Sequence, residues 1–205
     1  MYKVEMTGDV LRIVGQGQSA VAAAARAAEA SVEAVLVEAV RGGDRDAFGR
    51  LHDLYARMVH GILLARVPYG EVDDLVQDVF LHAFRKLDSL RDPAAFGPWL
   101  AMITRNRAMD FHRRSRETAE LTEDVAVVES LSAPQAEANE ALAVIRQLPE
   151  AYREPLILRF VEGMTGPEIA ERTGLAPTSV RVNLHRGMKL LREKLADNTA
   201  TTREH

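Results

Sequence analysis

Residues 166–195 read GPEIAERTGLAPTSVRVNLHRGMKLLREKL, and the spacing of small and apolar residues in this stretch decides the fold. Ile169, Ala170, Leu175, Val180, Leu184 and Leu191 fall on a helical stripe interrupted once, at Gly174. The pattern predicts a helix, a tight turn and a longer helix. Ala170 is small where two helices cross closely, Gly174 lets the chain take the left-handed conformation that ends the first helix, and Val180 plugs the pair together. The steps between these three residues, four and then six, are those of a helix-turn-helix. The second helix starts near Pro177, whose missing N–H has no intrahelical partner in a first turn.

Arg181, Asn183, Arg186 and Lys189 lie off that stripe and are free for a partner. Basic residues alone fit a helical hairpin with a solvated side; the Ala-Gly-Val spacing adds a reason to read the side as a nucleic-acid surface. In such a fold the exposed helix enters the major groove, where Arg forks onto guanine and Asn onto adenine.

The 205 residues leave room for one large or two small domains. Aromatic residues are 5% and β-branched alternation is scarce, so an all-α protein is expected. With no cysteine, disulfides, thiolate catalysis and cysteine-ligated zinc are excluded, which agrees with a reducing compartment. No apolar run approaches the roughly 18 residues of a membrane span, and Glu5 and Asp9 spoil a signal peptide. A soluble cytoplasmic protein without cofactor, metal or membrane insertion is the expectation.

The formal net charge of −4 hides a segregation. Residues 105–116 hold five Arg against one Asp, residues 181–194 hold five bases against Glu193, and between them residues 117–140 carry seven acids and no base. Two basic elements joined by an acidic connector fit a protein that meets nucleic acid at two places.

Upstream, residues 1–19 hold either one short strand around Val10 to Val14 or nothing ordered. Ala20 to Val40 has helical composition, stopped by Gly42 and Gly43, with little to bury in its Ala-rich first half. Asp44 caps the next helix, with Ala47, Phe48, Leu51, Leu54, Tyr55, Met58 and Ile62 facing inward. After Pro68 and Gly70 a helix opens with Glu71, Asp73 and Asp74 in its first turn, where the helix dipole favours them. Its core face is Leu75, Val79, His82 and Phe80 with Phe84 and Leu87, while Asp74, Gln77, Asp78 and Arg85 can look outward. Following a loop with Asp88, Ser89, Asp92, Pro93 and Pro98, a helix from Trp99 to Arg116 changes midway: the Trp99–Ile103 stripe becomes Asn106, Asp110 and Arg113. Glu140 to Leu148 and Glu150 to Val161 form two helices broken by Pro149, with Pro155 early in the second.

Two blocks in this order resemble one family. LPEAYREPLILRFVEGMTGPEIAERTGLAPTSVRVNLHRGMKLLREKL resembles region 4 of the extracytoplasmic-function sigma factors, and DDLVQDVFLHAFRKLDSLRDPAAFGPWLAMITRNRAMDFHRRSR resembles their region 2, with GDRDAFGRLHDLYARMVHGI as its opening helix. The resemblance covers about residues 42–195 and implies two small helical domains joined by a flexible acidic linker. The expected boundaries are an N-terminal extension over 1–40, region 2 over 41–116, the linker over 117–138, region 4 over 139–196 and a tail over 197–205.

The family implies a dissociable, non-enzymatic subunit of bacterial RNA polymerase that recognises promoters and opens DNA. Region 4 would read the minus-thirty-five element through Thr178, Ser179, Arg181, Asn183, Arg186 and Lys189, and would meet the flap of the second-largest subunit. Region 2 would contact the minus-ten element through Asn106, Asp110, Arg113 and Arg114, with Asp110 either touching a base or orienting a neighbouring arginine. Asp73, Asp74, Gln77, Asp78 and Phe80 would dock on the clamp helices of the largest subunit, Asp73 serving equally well as a helix cap. The loop from Ser89 to Phe96 occupies the place where the family captures a base taken out of the stack, and the acidic linker would enter channels that hold RNA. An anti-sigma factor is a further implied partner. The sequence departs from the family at Ala176, where a Ser-like cap is expected, and at Asn183, a position that is often basic.

Two other readings compete. One is a regulator that binds DNA by itself through 166–195, which leaves 71–116 without a purpose. The other is a metal-dependent hydrolase using Asp73, Asp74, Asp78 and His82, which lacks a second carboxylate cluster.

Overall fold

The computed structural model describes residues 32–119 and 142–202, with side chains described over 32–116 and 142–196. The strand considered at Val10 to Val14, the first part of the Ala-rich segment and most of the acidic connector lie outside these residues. Every regular element among the described residues is helical: α1 over 32–41, α2 Arg45–Leu64, α3 Val72–Lys86, α4 Phe96–Ala119, α5 over 142–146, α6 Glu150–Phe160, α7 Gly166–Thr173 and α8 Pro177–Thr202. Short 3₁₀ turns flank α3 and precede α4.

α1 turns Leu36, Val37 and Val40 into the core, so the expected boundary at residue 40 falls inside the packed body. Gly43, at φ 98°, makes the turn into α2, whose N-cap Asp44 accepts from the Asp46 and Ala47 N–H groups. α2 buries Ala47, Leu51, Tyr55, Met58 and Ile62 as its stripe predicts, but Leu54 is exposed while Val59, Leu63 and Leu64 are buried. In α3, Val79, Phe80 and Ala83 face the core with Leu87 just beyond, whereas Phe84 is exposed and Leu75 only half-buried. α4 begins three residues before the expected Trp99, taking Pro98 into its first turn, and buries Phe96, Leu100, Ala101 and Ile103. α2, α3 and α4 pack on one another as the first unit; α6, α7 and α8 form the second.

The two helical units are present as expected, and they are packed together. α6 and α7 lie against α2, and α7 lies against α4. This explains the burial of the last turn of α2 from two sides. A Cβ on Gly61 would fall 2.7 Å from Leu158 Cδ2 and 2.8 Å from Glu162 Cγ, so the close approach of α2 and α6 depends on glycine there.

Around this apolar contact lie charged groups. Glu154, 4% exposed, accepts from Arg105 Nη2 at 2.6 Å and Nε at 3.2 Å. Its Oε2, which accepts from Arg105 Nε, also pairs with Arg66 Nη1 at 2.7 Å, an ion pair without an aligned hydrogen bond among the described residues. Arg146 donates to the Leu64 and Val67 carbonyls at 2.9–3.1 Å and so closes the C-terminal end of α2. Arg172 donates to the Leu54 carbonyl and lies over the Tyr55 ring, 5.7 Å from its centroid. His60 Nδ1 and Glu162 Oε1 are 2.6 Å apart.

Glu154→Ala leaves two guanidinium groups at the interface without their carboxylate, and we expect a loss of about 3–5 kcal/mol in denaturant unfolding; a loss below about 1 kcal/mol would show that water replaces the carboxylate at little cost. Hydrogen bonding to Glu162 raises the His60 imidazole above its ordinary 6.5, against the opposing effect of burial. A pKa raised on folding adds stability below the unfolded value and loses it as pH climbs through the folded one. The wild-type melting temperature should therefore decline on raising pH upward from 6.5, relative to His60→Gln; parallel pH profiles for the two proteins would exclude the pair.

Candidate functional site

The helix-turn-helix is built from a capping box the spacing T-x-x-E makes legible. Thr165 Oγ1 accepts from the Glu168 N–H at 3.4 Å, and Glu168 Oε2 accepts from the Thr165 N–H at 2.7 Å. Hydrogen bonding with Thr165 holds the Glu168 carboxyl below its ordinary range. Gly174 follows α7 at φ 73°, ψ 12°, and a Cβ there would also press on Pro98 Cβ at 3.0 Å, so turn and packing both require glycine. Ala170 and Val180 are buried where α7 meets α8. Further along, Gly187 lets α8 cross α6, with Leu156 and Tyr152 3.0 Å from where a Cβ would stand.

Thr178, Ser179, Arg181, Arg186 and Lys189 are exposed on α8, as the stripe predicts. Lys189 makes a loose 3.9 Å contact with Glu193. Asn183 is half-buried on the flank toward Val180 and Gly187, one step away from the outer row. Val182 and His185, which the sequence reading passed over, are exposed in that row. Helical spacing from Thr178 and Lys189 is the signal that places them there.

On α4 the expected residues separate into two groups. Asn106 and Arg113 are exposed, and Asp110 Oδ1 pairs with Arg113 Nη2 at 3.0 Å, so the carboxylate orients the neighbouring guanidinium. Arg114 is exposed on the adjoining side. Arg105 and Arg107, counted in the basic run, are drawn inward, to Glu154 and to His82 Nδ1 at 2.7 Å. Met102 and Met109 are 51% and 69% exposed, on the face that carries Asn106 and Arg113. This face therefore combines polar groups with soft apolar surface.

Asp73, Asp74, Gln77 and Asp78 are exposed on α3. Phe80 stands apart, buried edge-on to Phe48 at 6.4 Å and tilted on His52 at 4.4 Å. It forms the floor, not the rim, of a groove of about 610 Å³ between α2 and α3, which Phe48, Leu81 and Phe84 also line and which Arg45, Gln77 and Asp78 border. The exposure of Phe84 and Leu81, unexpected from the α3 stripe, has its place here. His82, assigned to a metal in the hydrolase reading, is engaged by Arg107, and burial followed by that cation lowers its pKa. No three metal-ligating side chains gather among the described residues, and no described helix is long and apolar enough to cross a membrane.

A mixed basic helix beside an aromatic-floored groove in one unit, followed by a helix-turn-helix in the next, defines the class of DNA-binding protein. The sequence matches "Sigma-70 region 2" over residues 51–118 and "Sigma-70, region 4" over residues 138–191. It is 32% identical over 167 residues to RNA polymerase sigma factor CarQ of Myxococcus xanthus, covering 78% of this chain and 96% of CarQ. To the ECF RNA polymerase sigma-E factor of Haemophilus influenzae it is 30% identical over 184 residues, covering 82% and 97%. A probable RNA polymerase sigma factor, RfaY of Xanthomonas campestris, is 35% identical over 165 residues, and the chain spans 41% of its length. Among solved structures, CnrH in complex with the cytosolic domain of CnrY shares the fold, with a TM-score of 0.59 at 24% identity over 81% of this chain and 98% of that one. The chain belongs to the extracytoplasmic-function sigma factors of the sigma-70 family.

Thr165→Ala removes an acceptor for an orphan N–H of α7, and a loss of about 1 kcal/mol is expected in chemical unfolding, with Thr165→Ser close to wild type. Equal stability of all three proteins would leave the capping box without energetic weight.

Proposed function

We propose that this sigma factor docks on core RNA polymerase through the α2–α3 groove, reads the minus-thirty-five element with α8 and the minus-ten element with the second half of α4, and promotes melting there. The observation that carries the reading is the pair of outward basic helix faces, Thr178 to Lys189 and Asn106 to Arg114, on separate units of one chain. Arg186, exposed in mid-helix, suits a base edge, and Lys189 suits a phosphate. Met102 and Met109 suit an unstacked base, which offers an apolar face that duplex DNA hides.

The docking groove pairs an aromatic floor with the carboxylate of Asp78. Asp78 lies a full turn beyond the reach of the helix dipole, so its exposure is not accounted for by capping. Its fitting partner is a basic helical surface on the clamp of the largest polymerase subunit, while region 4 meets the flap of the second-largest. The chain works as a binding subunit in the cytoplasm, without catalysis or cofactor of its own.

The two promoter boxes lie about 25 base pairs apart, roughly 85 Å at about 3.4 Å per pair, whereas a globular chain of this length is roughly 40 Å across. Both faces therefore reach their boxes together only after the units part. A protein partner that holds them together, an anti-sigma factor, would keep the chain silent; CnrH, described in complex with the cytosolic domain of CnrY, offers the parallel.

Mixing the full chain with core polymerase and promoter fragments tests the reading. Specific run-off transcription is expected, with Arg186→Ala weakening discrimination at the upstream box by about 1–3 kcal/mol and Asp78→Arg abolishing retention on core polymerase at an unchanged melting temperature. Tight, sequence-specific DNA binding without polymerase, and no run-off, would instead identify a stand-alone regulator.

A further inference from the structure

The segment between α3 and α4 is held at both ends by one helix that precedes the residues matched to region 2, which begin at residue 51. At the near end, Arg41 Nη2 donates to the Leu87 carbonyl at 3.2 Å and to the Leu90 carbonyl. At the far end, Glu33 Oε1 accepts from the Gly97 N–H at 2.7 Å and from the Tyr55 hydroxyl at 2.7 Å. Both side chains come from α1, two turns apart on its inner face.

Neither group is a casual surface contact. Glu33 is 9% exposed, and desolvation raises its carboxyl pKa while the Tyr55 and Gly97 hydrogen bonds oppose the shift. Among the described residues Arg41 Nε is buried without a partner, a cost the fold carries in placing the two terminal nitrogens. Between the anchored ends, Leu90 and Phe96 are buried and Asp92 accepts from the Ala94 N–H at 3.0 Å, closing the turn Pro93–Ala95. Arg91, Asp92 and Ala94 are thereby presented outward on a segment whose two ends are fixed.

We propose that Arg41 and Glu33 are positioning residues for strand capture: α1 holds the 87–97 segment in the shape that receives the extruded promoter base. This rests on the sigma reading given above and extends it to a helix outside the matched region. An ordered receiving loop saves the entropy that a slack loop would lose on gripping a base, and that saving counts only in the step that takes the base out of the duplex.

The test uses the full chain with core polymerase on two templates, a duplex promoter and the same promoter carrying a pre-melted minus-ten bubble. For Arg41→Met we expect run-off to fall about tenfold on the duplex and to return to within twofold of wild type on the bubble. Core-polymerase retention should be unchanged, and amide exchange faster over 88–96 alone. Arg41→Lys and Glu33→Gln, which keep a donor and an acceptor in place, should stay near wild type on both templates. Glu33→Ala should behave as Arg41→Met; if it fails to fold, Arg41→Met decides. Wild-type activity of Arg41→Met on the duplex, or equal impairment on both templates, would overturn the positioning role while leaving the sigma reading intact. Absence of run-off by the wild-type chain on either template would sink both.

Discussion

A carboxylate buried between two guanidinium groups fixes how the rest of this molecule is arranged. Glu154 comes from the second unit, Arg66 from the loop that closes α2 and Arg105 from α4, so one side chain ties three elements of the two halves. Such a cluster is a poor source of net stability, because desolvation offsets most of the attraction. It is an effective source of direction, since an alternative docking of α6 on α2 would leave at least one of these charges buried and unpaired. The attraction itself comes from apolar burial around Leu158, which is brought close to α2 by the absence of a side chain on Gly61.

This arrangement also decides what α4 shows to the outside. Of the five arginines between 105 and 116, the inward pair Arg105 and Arg107 satisfy Glu154 and His82, and the exposed face is left to Met102, Asn106, Met109 and Arg113. Asp110 adds no net attraction for phosphate, but it holds Arg113 at 3.0 Å and reduces the freedom of a long side chain. The face is therefore less basic and more apolar than its composition, a balance that suits single-stranded bases better than a duplex backbone.

The helix-turn-helix was legible in the sequence because its determinants are local. Gly174 at positive φ, the small Ala170 and the plug at Val180 act within thirty residues, and helical period places them without knowledge of the remainder. The same period misjudged Leu54, Val59, Leu63 and Phe84, since it reports that a helix has an apolar face and is silent about a second surface packed on another side. The run Gly61–Leu64 was the available sign: four residues with no polar member fit a helix end covered from two directions. Charge counting failed for Arg105 and Arg107 for a related reason. A guanidinium reaches several ångströms from its backbone, so its partner is set by tertiary neighbours and not by the helix that carries it. The hold of Glu33 and Arg41 on the 87–97 segment was invisible for the same cause, since their partners there lie 46 to 64 residues away along the chain.

An interface fastened by charges differs from a hydrophobic core in how it opens. When α6 leaves α2, Glu154, Arg66, Arg105, His60 and Glu162 all regain water, which returns much of the desolvation cost of the closed state. The apolar contacts around Gly61 and Leu158 and where α7 lies on α4 resist. On the proposed function, parting of the units also gives Arg105 a second use, because it sits on α4 one residue before Asn106 and exchanges a carboxylate for DNA phosphate. The closed and open states then compete for the same guanidinium. A polyanion favours opening by taking Arg105 from Glu154, and a ligand can shift such an equilibrium only by binding one state better than the other.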